Sequence, residues 1–340
     1  LNSIVLPAAT GTEEFLPARW LRNRHLQSML ASTSWRRPRV LARAAAMRAA
    51  AREVLLDCGE GVRLQAFIST PAAGERPEVA PVVLLHGWEG SAESLYVLSL
   101  AQRLYDQGIE VVRLNLRDHG ETHELNRDLF HSCRLPEVVG AIGALQRTHL
   151  GKRPLQLAGF SLGGNFMLRV AAQARAADLD LAQAIAVSPV LDPAETLVAL
   201  QRGFPGYELY FVRKWLRSLR KKQAAWPDLY DFTAIGRMRD LKSMTAELVR
   251  QHTEFPTLAD YLNGYAITGS RLSHLEVPSS IITALDDPII PAGALAHLAR
   301  PAALSVTVTR HGGHCGFFAR LPGPTWLERR MVNQLGGTLS

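Results

Sequence analysis

The stretch PLQLAGFSLGGNFMLRVAAQA, Pro154 to Ala174, decides how this chain is read. Its first part, from Leu155 to Ala158, is the short apolar run of a buried strand. Its second part opens at Leu162 with the longer apolar pattern of a helix, predicted to run to Ala177. One hydroxyl, Ser161, sits at the junction. Such a serine is either a helix cap, satisfying orphan N–H groups of the first turn, or an exposed nucleophile. A sharp strand-to-helix turn exposes its tip residue only where the neighbours are small. Gly159 lies two residues before the serine and Gly163 two after, so GFSLG fits G-x-S-x-G, the nucleophile elbow.

Outward from that stretch the chain alternates. Val62–Ser69 reads as a strand, Pro71–Glu78 as a loop, and Val82–Leu85 as a short buried strand ending in HGWEG. A helix is expected over Ala92–Gln107, stopped by Gly108, then a strand over Ile109–Leu114 and the loop RDHGET. Leu135–Leu150 reads as a helix and Ala184–Val187 as a strand. Later strands fall on Ser279–Ala284 and Leu304–Thr309, with a helix over Ala292–Ala299 between them and a closing helix over Pro324–Gln334. This rhythm predicts an α/β protein with a mostly parallel central sheet flanked by helices. Functional groups should gather at the carboxyl ends of its strands. Residues 1–53 read as an irregular lead segment packed on a core domain of residues 54–334, with an alanine- and arginine-rich part of helical composition. Between about 192 and 275 the rhythm breaks into a lid-like helical insertion, which includes the basic amphipathic run GYELYFVRKWLRSLRKK, Gly206–Lys222.

A serine hydroxyl needs a base, and the base needs an orienting acid. ITALDDPIIP, Ile282–Pro291, puts two aspartates at a strand end. The D-x-x-x-P spacing to Pro291 favours Asp287, with Asp286 as the alternative acid. TVTRHGGHCGFF, Thr307–Phe318, follows the last strand, and its small neighbours favour His314 over His311 as the base. The order Ser, Asp, His is that of the elbow's usual triad. A tetrahedral intermediate also needs preorganised N–H donors. They are expected from Leu162, after the nucleophile, and from Trp88 in the loop after Leu85, which His86 braces.

Composition narrows the chemistry. Cys58, Cys133 and Cys315 form no CxxC pair, and the 11 histidines form no HExxH. HGGH, His311–His314, is a weak candidate for a metal pair. No metal or cofactor is expected. The net charge of +7 is uneven: nine arginines and no acid between Arg19 and Arg52, and six basic residues and no acid between Phe211 and Lys222. An asymmetric solvated surface is the plain reading, and contact with an anionic membrane or substrate the sharper one. No nucleic-acid motif stands out, so nucleic acid is not an expected partner. No apolar run is long enough to span a bilayer, and no secretory pattern opens the sequence, so residence in the cytoplasm, free or membrane-peripheral, is the expectation.

With these residues in place the chain resembles the YheT-like α/β-hydrolases, a bacterial group related to the mammalian abhydrolase-domain proteins 1 and 3. WLRNRHLQSML matches that family's lead signature in outline, with Leu21 and Ser28 as local variants. HGWEGSAES, GFSLGGN, ALDDPIIP and GGHCGF match its oxyanion, elbow, acid and base loops, and the likeness runs from about Phe15 to Gln334. One departure is Arg117-Asp118-His119-Gly120, where relatives often have R-G-x-G; a left-handed residue there would strain Asp118. The resemblance implies the α/β-hydrolase fold, the nucleophile at Ser161, the acid at Asp287, the base at His314 and the oxyanion donors at Trp88 and Leu162. It further implies a serine hydrolase acting on carboxylic esters, small or lipid. Amidase, thioesterase or peptidase chemistry with the same triad, or a non-catalytic binding protein on the same fold, are the alternatives.

Overall fold

In the computed structural model, which describes residues 15–72, 76, 78–151 and 153–337, the strands form one eight-stranded sheet. The strands are β1 (Ala51–Asp57), β2 (Arg63–Ser69), β3 (Val82–Leu85), β4 (Val111–Leu114), β5 (Leu155–Phe160), β6 (Leu181–Val187), β7 (Ser279–Ala284) and β8 (Leu304–Thr309). Their order across the sheet is β1-β2-β4-β3-β5-β6-β7-β8. β2 pairs antiparallel with both β1 and β4, and every other pairing is parallel. This is the α/β-hydrolase arrangement expected from the sequence.

The central strands are apolar on both faces because helices cover both. Val82, Leu84, Ala158, Phe160, Ile185 and Val187 point into one core, while their neighbours Val83, Leu85, Leu157, Ala184 and Ala186 point into the other. That is the two-residue alternation of a pleated strand with both sides buried.

The lead segment is more ordered than its composition suggests. It holds α1 (Arg24–Ser32), α2 (Arg37–Arg43) and α3 (Ala45–Ala49), and β1 already begins at Ala51. The expected boundary at residue 53 therefore falls inside an edge strand, while residues 1–14 lie outside the described ones. α4 (Leu95–Asp106) and α11 (Trp326–Gly336) pack against one face of the sheet, and α5 (Leu135–Ala144) and α6 (Leu162–Ala172) against the other. The helix expected over Leu135–Leu150 changes to a wider π turn at Leu145–His149, where Thr148 Oγ donates to Ala144 O. The helix expected over Ala292–Ala299 is a 3-10 segment, Ala292–His297. Between β6 and β7 lie α7 (Pro193–Arg202), α8 (Pro205–Ala225), α9 (Leu241–His252) and α10 (Leu258–Gly264). None of the described helices is long and apolar enough to cross a membrane.

Candidate active site

Ser161 ends β5 and precedes the first residue of α6, with φ 54° and ψ −119°. A non-glycine residue is strained in that left-handed region and persists there only when its surroundings over-determine it. Here they do. Ser161 N–H donates to Val187 O at 2.8 Å, carrying the β5–β6 pairing to the tip of the turn. A side chain at Gly159 would lie 2.3 Å from Gly163 O, and one at Gly163 would lie 2.4 Å from His86 O. The elbow closes only with hydrogen at both places. The Ser161 hydroxyl does not cap α6.

The acid and base loops leave β7 and β8. Asp287 Oδ1 accepts the N–H groups of Ile289 and Ile290 at 2.8 and 2.9 Å, which leaves Oδ2 for His314 Nδ1 at 2.8 Å. Asp287 is buried with its side chain fully enclosed. Burial works against the imidazolium of His314, but Asp287, by charge and hydrogen bond, and Cys315 together outweigh it and hold the pKa well above 6.5. Asp286 faces elsewhere: its Oδ1 accepts the Gly313 N–H at 2.8 Å and its Oδ2 lies 3.5 Å from His311. Of the two adjacent acids and two nearby histidines, the structure pairs Asp287 with His314 and Asp286 with His311. His314 and Ser161 line the same cavity, of about 1260 Å³. No hydrogen bond joins Ser161 Oγ to the His314 ring among the described residues, and such contacts commonly tighten only around substrate.

Trp88 lies in the loop after β3. Neither its N–H nor that of Leu162 donates to a protein acceptor among the described residues, and Trp88, Ser161, Leu162 and His314 line one cavity. The loop is braced by two histidines in the same tautomer. His86 Nδ1–H donates to Gly87 O at 2.8 Å, and its Nε2 accepts the Leu116 N–H at 3.2 Å. His119 Nδ1–H donates to Arg117 O at 2.7 Å, and its Nε2 accepts the Glu89 N–H at 3.1 Å. Burial pushes the His86 pKa down to about 4 and the His119 pKa well below 6.5, so both rings stay neutral. Tyr96 Oη accepts the Gly87 N–H at 3.0 Å. Trp88 stacks on Phe211 at 5.3 Å and meets the edge of Trp215 at 5.1 Å, both from α8.

Asp118 does adopt φ 56°, and it is buried. Its carboxylate accepts from Lys222 Nζ at 2.9 Å and from the Phe130 N–H at 2.8 Å. Lys222 is fully buried and also donates to the carbonyls of Asn126 and Asp128 at 2.6 and 3.0 Å. One of the six basic residues of the amphipathic run is therefore buried and not part of a charged surface. Lys214 donates to Glu89 O and Lys221 pairs with Glu121, leaving Arg213, Arg217 and Arg220 as its exposed cations. No cluster able to hold a metal ion occurs among the described residues. The sequence reading missed what α1 does here: Ser28 Oγ accepts the His314 N–H at 2.8 Å. The lead motif containing Ser28 was visible, but nothing in it says which loop it meets.

An eight-stranded, mostly parallel sheet with a strained serine at the β5–α6 turn, and an Asp–His pair carried by the loops after β7 and β8, defines the α/β-hydrolase class. The family described as the alpha/beta hydrolase fold matches residues 80–321, and the chain belongs to it. Its likeness to YheT of Escherichia coli (strain K12), a protein named provisionally as an esterase, is 27% identity over 339 residues, covering 96% of this chain and 94% of that one. Among solved structures it is similar in fold to the 2,6-dihydroxy-pseudo-oxynicotine hydrolase, with TM-score 0.59 and 18% identity over 92% of this chain and 76% of the other. An esterase of Pyrococcus furiosus superposes with TM-score 0.58 and 14% identity over 97% of this chain and all of the other (100%).

Proposed function

We propose that the protein is a serine hydrolase that cleaves carboxylic esters through an acyl-enzyme. The observation that carries this reading is Ser161 held at φ 54° on the wall of a cavity shared with His314, whose Nδ1 is committed to Asp287 at 2.8 Å. His314 Nε2 is then the nitrogen free to take the Ser161 proton as Oγ attacks the ester carbonyl. The N–H groups of Trp88 and Leu162 receive the negative oxygen. His314 passes its proton to the departing alcohol. Water then gives a proton to His314 and attacks the acyl group, and the acid leaves as Ser161 recovers its hydrogen.

The cavity supports an ester with an apolar acyl chain. One wall is made by Val190, Leu197, Leu200, Leu248, Ile289 and Ile290, and the volume exceeds the roughly 300–1,000 Å³ of common ligand pockets. Met29, Phe204 and Tyr210 also line it while remaining exposed, with Arg37 and Arg217 exposed beside them. An apolar rim with free arginines suits lipid esters drawn from an anionic bilayer surface. Cys58, Cys133 and Cys315 are free thiols, which suits a reducing compartment such as the cytoplasm. The kinship with the mammalian abhydrolase-domain proteins 1 and 3 rests on the sequence motifs.

The test is labelling by a fluorophosphonate probe. Wild type should label, and Ser161→Ala and His314→Ala should not. A panel of p-nitrophenyl esters of rising acyl length then reads the apolar wall. A folded wild type that resists the probe and hydrolyses no ester overturns the proposal in favour of a binding protein on this fold.

A further inference from the structure

His314 sits in a turn that no sheet or helix holds. Gly313 before it has φ 55° and Cys315 after it φ 59°. Gly313 takes that conformation freely, but Cys315 does not, so the backbone there needs outside contacts to hold it. Those contacts come from α1, at the far end of the chain.

Asn23 caps that helix, its Oδ1 accepting the N–H groups of His25 and Leu26. One turn later Ser28 Oγ donates to Arg24 O at 2.8 Å, which aims its lone pairs outward to accept the His314 N–H, also at 2.8 Å. Gln27 is fully buried, and its amide treats Phe318 as a neighbouring strand would: Oε1 accepts the Phe318 N–H at 2.8 Å and Nε2 donates to Phe318 O at 2.9 Å. Nε2 also reaches Leu21 O at 2.7 Å. The contact surface is bare backbone. A side chain at Gly313 would lie 2.5 Å from Arg24 O, and one at Gly316 would lie 2.5 Å from Gln27 O.

We propose that α1 belongs to the active site, with Ser28 and Gln27 as positioning residues that fix the backbone of the base loop and so aim the His314 ring at Ser161. The inference rests on the reading of Ser161 and His314 as nucleophile and base. Asp287 fixes the ring's tilt through Nδ1, and Gly313 is tied through Asp286. Ser28 is the tie on the histidine's own N–H. Without it a part-buried donor is left unpaired in a turn that already carries the strain of Cys315.

The experiment compares wild type with Ser28→Ala, Ser28→Thr and Ser28→Cys in steady-state hydrolysis of a p-nitrophenyl ester, with fluorophosphonate labelling rates alongside. A base displaced by a fraction of an ångström should cost Ser28→Ala about 10- to 100-fold in kcat, with KM changed by no more than about twofold. Ser28→Thr keeps the hydroxyl and should restore most of the rate. Ser28→Cys is nearly isosteric with a weaker acceptor, so it should fall between, and it supplies the reading if Ser28→Ala does not fold. Wild-type kcat in Ser28→Ala or Ser28→Cys overturns the inference. So does equal impairment of Ser28→Ala and Ser28→Thr, which would make the site sensitive to packing and not to the hydroxyl. A labelled wild type with unaffected Ser28 variants sinks this inference alone. An unlabelled wild type sinks the nucleophile reading, and this one with it.

Discussion

Acid should loosen the oxyanion loop before it touches the sheet. His86 and His119 both use Nε2 as an acceptor for a backbone N–H, from Leu116 and Glu89. Protonating either ring turns that acceptor into a donor facing a donor. Both pKa values are depressed by burial, His86 to about 4 and His119 well below 6.5. The unfolded chain therefore binds these protons first, and stability present above pH 6.5 is lost as pH falls toward the folded values. At pH 5.5, one unit below the unfolded value of about 6.5, His86 costs about 1.4 kcal/mol and His119 at most the same, so the pair costs up to about 3 kcal/mol. At about 2.1 cal/mol/K per residue the unfolding entropy of a chain this size is about 0.7 kcal/mol/K, so Tm should fall by up to about 4 °C from this pair. His123 and His131, pushed down to about 4 and about 3 by burial, act in the same sense. His314, with its raised pKa, acts in the opposite sense. The informative comparison is therefore between wild type and His86→Gln/His119→Gln, which keeps a neutral donor and acceptor at each place. Thermal unfolding is followed at about pH 7.5 and pH 5.5 in both. The variant should escape up to about 3 kcal/mol of the acid loss. An equal fall in Tm for the two proteins would refute the reasoning.

The remaining expectations concern the proposed triad, α8 and the elbow. The acid limb of the kcat/KM profile should lie above pH 6.5, because Asp287 raises the His314 pKa against its burial, and it should move down in Asp287→Asn. The same variant should lose up to about 10⁴-fold in kcat, the scale seen when a triad carboxylate is neutralised, and kcat within tenfold of wild type would argue against the role. Lys222→Met removes one partner of a fully buried pair, so it should cost about 3–5 kcal/mol, or about 4–7 °C in Tm. Lys222→Met/Asp118→Asn should recover part of that in a calorimetric double-mutant cycle, since asparagine tolerates the left-handed backbone at position 118. Gly163→Ala should abolish soluble folded protein or labelling, since the new methyl meets Leu85 O and His86 O within 2.4–2.5 Å. A labelled, normally melting Gly163→Ala would show that the elbow can relax.

What the sequence disclosed follows from how local each signal is. The elbow is written in a few consecutive residues, and a buried strand needs only four or five apolar ones, so β3, β7 and β8 were placed at their observed ends. β1 was missed because it is an edge strand, exposed at Arg52, Glu53, Leu55 and Asp57, and it follows an alanine-rich run of helical composition. The acid and base were legible as residues at strand ends, but the choice between Asp286 and Asp287 is a matter of side-chain direction across two loops. Ser28 and His314 lie 286 positions apart, beyond any spacing rule. Lys222 was hidden by its company: in a run of six basic residues, which one turns inward depends on the carbonyls that Asn126 and Asp128 offer it.

α8 shows how that inward turn serves the site. Tyr207, Phe211, Trp215, Ser218 and Lys222 recur at helical spacing along one face. Tyr207 meets His25 Nδ1 at 3.0 Å, so this end of α8 rests on the helix that holds the base loop. Phe211 and Trp215 cover Trp88, so the middle rests on the oxyanion loop. Ser218 contacts His123 and Asp118 O, and Lys222 closes on Asp118, so the far end is fixed in the loop after β4. A helix of 21 residues is thus held at both ends and at its centre. Swinging it away would part the Lys222–Asp118 pair and strip Lys222 of the Asn126 and Asp128 carbonyls. Entry past the exposed Met29, Phe204 and Tyr210, by the start of α8, would leave that buried ion pair intact.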